Sequence, residues 1–298
     1  MASVALQERS FGNTGLVVSA LGLGAAEIGA PGVSEDEAQA LLHEALDLGI
    51  NFIDTARLYG DSEERIGRAL AARRGDFVLS SKCGYDIPGI ADWTGAAVAA
   101  GVNAALKRLR TGWIDVMHLH SCPREVLERG DVIEALEDAV RAGKVRVAAY
   151  SGENEHLAYA ISTGRFGAIQ TSVNICDQRA LITHIPEAAR RGMGVIGKRP
   201  LANAPWRYAQ RPTGEYVEVY WDRFRAMNPD PGGLDWDEVA IRFAAFAPCV
   251  HTVIAGTASR EHLRRNAAHV ARGPLPNDIV VALMDAFRRH DDNWTGQV

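Results

Sequence analysis

Two hydrophobic periods take turns along this chain. From Ser34 onward the apolar residues Ala38, Leu41, Leu42 and Ala45 recur at three- and four-residue spacing, the stripe of an amphipathic helix. Ser34 followed by Glu37 forms a capping box that starts it. A short β-type run comes next, then another helical stripe, and the exchange continues to the end. Strands are expected at 20–23, 51–54, 77–82, 114–120, 145–151, 168–173, 194–198 and 250–255. Helices are expected near 62–72, 95–108, 132–142, 155–163, 185–191, 236–246 and 260–271, with Gly49, Gly75 and Gly143 placed to stop helices. Before the repeat, residues 8–18 set a Gly-Asn-Thr-Gly turn between short apolar segments, which predicts a β-hairpin.

Eight strands with intervening helices in about 250 residues fit a closed parallel (β/α)8 TIM barrel, with an open doubly wound sheet as the structural rival. No linker interrupts the pattern, so residues 1–298 are expected to form one domain. Two segments fall outside the repeat. Residues 202–234, rich in Pro, Trp and Tyr, predict a long, partly helical loop over the barrel mouth, and such loops usually carry function. Residues 274–290 predict an extra C-terminal helix packed outside.

Composition narrows the functional classes. The chain is 47% hydrophobic and 23% charged, ordinary for a globular protein. A formal charge of −5 argues against a nucleic-acid partner, which demands a basic face. No apolar run approaches the roughly 18 residues of a membrane span, and MASVALQERS does not read as a secretory signal. Cys83, Cys122, Cys176 and Cys249 lie far apart and read as free thiols of the cytoplasm.

In a barrel, chemistry sits at the C-terminal ends of the strands. Asp54, Lys82 and His120 each end a predicted strand, and Tyr59 follows Asp54 by five residues. Singly, each has an ordinary structural explanation; together at one mouth they suit carbonyl reduction. Hydride arriving at a carbonyl carbon leaves charge on oxygen, which needs a proton. A phenol, with a reference pKa of about 10, can give one when a cation favours its ionised form. Lys82 is that cation, Asp54 its partner, and His120 a donor that orients the oxygen.

At these residues the chain resembles the aldo-keto reductase superfamily. The motifs NFIDTARLYG (51–60), VLSSKCG (78–84) and IDVMHLH (114–120) match in order and spacing. AAYSG (148–152), IQTSVN (169–174), VIGKRPLAN (195–203) and TVIAGTASREHLRRN (252–266) follow as weaker echoes. The resemblance implies a hairpin-opened barrel, a catalytic tetrad of Asp54, Tyr59, Lys82 and His120, and NAD(P)H-dependent reduction of a small aldehyde or ketone. A non-catalytic nicotinamide-binding regulatory subunit is the alternative on the same fold. By resemblance the nicotinamide end meets Gly24, Ala25, Asp54, Ser151 and Gln170, and Gly152 stands where an Asn is common. Lys198 occupies the usual ring-stacking position, which a lysine cannot serve. Pro200, Leu201 and Asn203 fit the pyrophosphate, while Gly256, Thr257, Ser259, Arg260, His262 and Asn266 fit the adenosine phosphate end. The substrate wall is expected from Ala26, Tyr59, Tyr85, Trp93, Cys122 and Trp206.

NADPH is expected over NADH, with Arg260 and Arg264 sharing a helix face toward the 2′-phosphate. Gly22 and Gly24 open a dinucleotide-type fingerprint, but its third glycine position is Glu27. His118, His120 and Cys122 lack the carboxylate cluster of a metal site, and no metal is expected.

Overall fold

The structure, a computed structural model, describes residues 6–298. A short antiparallel ribbon of β1 (Glu8–Ser10) and β2 (Val17–Ser19) opens the chain. Eight parallel strands then close a barrel: β3 (Leu21–Gly24), β4 (Phe52–Asp54), β5 (Val78–Cys83), β6 (Ile114–His120), β7 (Val145–Ser151), β8 (Ala168–Ser172), β9 (Gly194–Lys198) and β10 (Thr252–Gly256). They pair in sequence order, and β10 returns to β3. This closure excludes the open sheet. Helices wrap the outside, and Asn277–His290 is the additional C-terminal one.

Local chemistry accounts for the elements. Ser34 and Glu37 form the reciprocal capping box ahead of Glu35–Asp47, whose Ala38, Leu41, Leu42 and Ala45 are all buried. Gly49 and Gly143 sit in the left-handed region just past their helices. Gly75 does not; it lies inside a short 3-10 stretch, Ala71–Asp76. Two short helices went unforeseen, Arg124–Arg129 and Arg179–Thr183. In the long segment after β9, Glu218–Met227 is helical.

Alternate residues of a strand share a face, and this divides the barrel interior into layers. At the lower end Phe52, Val78, Val116, Val147, Ala168, Ile196 and Ile254 form one apolar cluster with Phe11 of the hairpin turn. Two or four residues further on, the same inward faces carry polar groups, including Asp54, Lys82, His120, Ser151, Gln170 and Lys198. The hairpin closes the bottom. Phe11 is fully buried, 6.1 Å from Phe52 and edge-on to His251 at 5.8 Å. Gly194 makes room for it, because a Cβ there would meet the Phe11 ring at 2.5 Å.

Phe11→Ala should therefore cost about 3–5 kcal/mol, the usual range for emptying a buried aromatic site. Urea unfolding should show a lower midpoint at unchanged m-value. A loss within about 0.5 kcal/mol, the range of ordinary surface substitutions, would show that the plug does not support the barrel.

Candidate active site

The apolar layer fixes which residues above it point inward, and Asp54 and Lys82 meet there. Lys82 Nζ donates to Asp54 Oδ2 at 2.6 Å and to the Thr55 carbonyl at 2.8 Å. Asp54 Oδ1 accepts from the Ser80 hydroxyl at 2.7 Å and from the Gln170 amide, across the barrel, at 3.0 Å. Burial by itself lowers the proton affinity of Lys82. Asp54, and after it Tyr59, outweigh that penalty and hold the ammonium more firmly charged than an ordinary lysine.

Tyr59 stands in the loop after β4, with the Lys82 ammonium 4.8 Å from its ring centre. Its backbone is held against Gly29, where a Cβ would come within 1.7 Å of the Tyr59 carbonyl oxygen. His120 meets the Tyr59 ring edge-to-face at 6.3 Å. Burial pushes the His120 imidazole down to about 2, helped by Lys82 and Lys198, so the ring is neutral. One layer below, His118 contacts the Ser80 hydroxyl at 3.1 Å, and burial pushes it down to about 3.

These groups open into a cavity of about 870 Å³ that reaches from Tyr59 and His120 across the mouth to Thr257, His262 and Asn266. Two buried donors on its wall, Asn203 Nδ2 and Arg265 Nε, have no hydrogen-bond partner among the described residues. Ala202, Asn203 and Ala204 run consecutively at positive φ, a conformation costly for side-chain-bearing residues and typical of ligand clamps. Residues 20–288 match the Aldo/keto reductase family. The chain belongs to that family. It is 32% identical to L-galactose dehydrogenase of Arabidopsis thaliana over 211 residues, 66% of each chain. An uncharacterized oxidoreductase of Bacillus subtilis is 28% identical over 96% of this chain and 99% of its own length. A holo-form aldo-keto reductase from Bacillus halodurans superposes with a TM-score of 0.83 at 26% identity, covering 95% of this chain and 96% of that one.

In this aldo/keto reductase family member, Gly24, Asp54, Ser151, Gln170, Lys198, Pro200, Leu201, Asn203, Gly256, Thr257, His262 and Asn266 all line the cavity, with Ala26 and Tyr59. Ser151 and Gln170 bond each other at 2.9 Å. Lys198 pairs with buried Glu153 at 3.1 Å, an acid also held by Thr171 and by Ser172. Ala25 faces the outer core instead, one residue out of phase with Gly24. Ser259 caps the helix Arg260–Ala271.

Arg260 departs from expectation. Arg260 and Arg264 do share a face, but both bind Glu44 of the neighbouring helix. Arg265, one residue round, lies with His262 on the cavity wall and pairs with Asp237 at 2.8 Å.

Four expected wall residues are not on the cavity. Tyr85 and Trp93 stand behind His120. Cys122 is buried, because Ser121 at φ 61° turns the chain before it. Trp206 stacks on Trp236 and gives its N–H to Asp237.

Sequence reasoning passed over Glu27, Arg199, Tyr216 and Val298, which also line the cavity. Arg199 bonds the Gln297 carbonyl and Tyr216, and Asn154 holds Gly296 through both its amide groups. Only the charge of Arg199 within the motif 195–203, and of Glu27 at the third position of the glycine fingerprint, offered a signal. Among the described residues no three His, Cys, Asp or Glu side chains gather as metal ligands, and no helix is long and apolar enough to cross a membrane.

With burial holding both rings neutral, His118 and His120 should not titrate between about pH 5 and 8, the range in which a free imidazole charges. Histidine-labelled NMR checks this. A transition near 6.5 in either ring would place it in water.

Proposed function

We propose that this protein is a cytoplasmic NAD(P)H-dependent reductase of small aldehydes or ketones, with Tyr59 as the proton donor. The observation that carries this reading is the convergence of Asp54, Lys82, Tyr59 and His120 on one cavity. The cavity also fits a dinucleotide: it is long enough to join the tetrad to the helix Arg260–Ala271, and its unpartnered donors Asn203 and Arg265 suit phosphate oxygens. When bound, a reduced nicotinamide supplies hydride to the carbonyl carbon.

The remaining work falls to the chain. The Tyr59 hydroxyl gives its proton to the carbonyl oxygen as charge develops there, closing the product alcohol, and solvent restores the proton afterwards. Lys82 stabilises the phenolate left behind, and Asp54 keeps Lys82 charged against burial. Neutral His120 orients the oxygen from the other side. Tyr59→Phe should fold and bind cofactor normally while kcat falls by about 10² or more, the scale of a lost general acid. Near-normal turnover would remove Tyr59 from this role. Cofactor binding with no turnover of any carbonyl by the unaltered protein would favour the regulatory-subunit reading.

NADPH is the preferred cofactor. Its 2′-phosphate carries about −1.5 to −2 charges, and Arg265 offers a cation, with the His262 ring beside it, at that end of the cavity. Glu27, lodged within 3.3 Å of a Gly256 Cβ, occupies the space a longer side chain at 256 would fill. A charge-assisted contact of about 1.5–3 kcal/mol makes Arg265→Ala weaken NADPH by about 10- to 150-fold and leave NADH nearly unchanged. Arg260→Ala, which removes only one of the two arginines on Glu44, should alter neither. Titration by protein fluorescence measures both affinities in the unaltered protein and in each variant, and equal losses of NADPH and NADH in Arg265→Ala would overturn the assignment.

A further inference from the structure

His120 can present its ring nitrogens to the cavity in two ways. Neutral imidazole carries one N–H, and whichever nitrogen lacks it is an acceptor. If the open nitrogen were the acceptor, it would repel a carbonyl oxygen instead of holding it.

Tyr85 decides between them. Its hydroxyl bonds His120 Nδ1, and the two rings stack 5.6 Å apart at an interplanar angle of 24°. Trp93 packs against the other side of Tyr85, ring centres 5.2 Å apart, and is itself seated on Gly84. A Cβ at Gly84 would lie 2.3 Å from the Trp93 ring, so glycine there is what admits the stack. Among the described residues the Tyr85 hydroxyl has no other hydrogen-bond partner, and His120 Nε2 has none. Of the two, the phenol is the better acid and the imidazole nitrogen the better base, so the hydroxyl donates and Nδ1 accepts.

We infer that Tyr85 is a positioning residue: by donating to Nδ1 it fixes the proton of His120 on Nε2, so that the ring always offers a donor to the cavity beside Tyr59. Burial agrees with this direction of donation. It holds the Tyr85 phenol protonated, well above an ordinary tyrosine, and holds His120 neutral. The tautomer is a matter of this geometry alone; its use in orienting a carbonyl rests on the reductase reading above.

The test reads the tautomer without turnover. Protein labelled with ¹⁵N-histidine gives long-range proton–nitrogen correlations that distinguish the two forms, and His120→Asn assigns the signal. The unaltered protein should show His120 wholly as the Nε2–H form with a hydrogen-bonded Nδ1. Tyr85→Phe keeps the stack and removes the donor, so the Nδ1 resonance should move to that of an unbonded acceptor. In assays kcat should fall by about 2- to 12-fold, the worth of one neutral hydrogen bond, with KM little changed. An Nδ1–H form in the unaltered protein, or an Nδ1 resonance that ignores Tyr85→Phe, would overturn the inference. An unaltered protein that shows the Nε2–H form yet reduces nothing keeps the Tyr85 assignment and removes the reductase reading alone.

Discussion

Lys82 and Asp54 meet at 2.6 Å with almost no water around either side chain. Desolvating two charges costs several kcal/mol per ion, and their attraction offsets this only when every remaining donor and acceptor is satisfied. Here the backbone of Thr55, the hydroxyl of Ser80 and the amide of Gln170 supply those contacts. They come from three parts of the barrel: the end of β4, the neighbouring β5 and the opposing β8. The ion pair therefore exists only in the closed barrel, and the barrel interior is arranged around it. Ser80 links the pair to His118 below, Gln170 links it to Ser151, and Tyr59 lies over the ammonium.

The layering of the interior follows from the same constraint. A charged pair cannot rest on water-filled space without losing the low dielectric that keeps its partners effective. The apolar layer around Phe52, Val116 and Phe11 closes the barrel from beneath, so solvent reaches the site from one side. The neutral state of both histidines is a product of this enclosure, since burial is the largest influence on each. Stability and chemistry share residues here. The hairpin that plugs the bottom holds dry the layer on which the polar groups stand.

A second buried charge cluster lies across the mouth. Glu153 binds Lys198, Thr171 and Ser172, and Arg199 connects this group to Tyr216 and the segment 296–298. Lys198 therefore spends part of its charge inside the protein. Burial lowers its proton affinity, and Glu153 opposes that. Lys198 is one arm of an ion pair that ties β9 to the loop after β7.

Much of this was legible in the sequence, because period and spacing are local properties. Alternation of two with helical stripes between gave eight strands in order, and the strand-ending positions of Asp54, Lys82 and His120 followed from where each run stopped. Ser34 and Glu37 marked a helix start that the fold kept. Other features depend on which way an element is rolled once packed. Spacing alone put Arg260 and Arg264 on one face, but the helix packs with Leu263, Ala267 and Val270 buried, which leaves that face on Glu44, over two hundred residues away in sequence, and Arg265 on the cavity wall. Tyr85, Trp93, Cys122 and Trp206 lie close to the mouth in sequence and still miss it, since Cys122 follows a left-handed Ser121 and the three rings pack against other rings. The contact of residues 296–298 with Asn154, Arg199 and Tyr216 joins segments no local pattern connects. The sequence by itself determined which residues could share a strand or a helix face. The tertiary structure decided which of those faces meets the cavity, because that depends on long-range packing and charge pairing that exist only after the barrel closes.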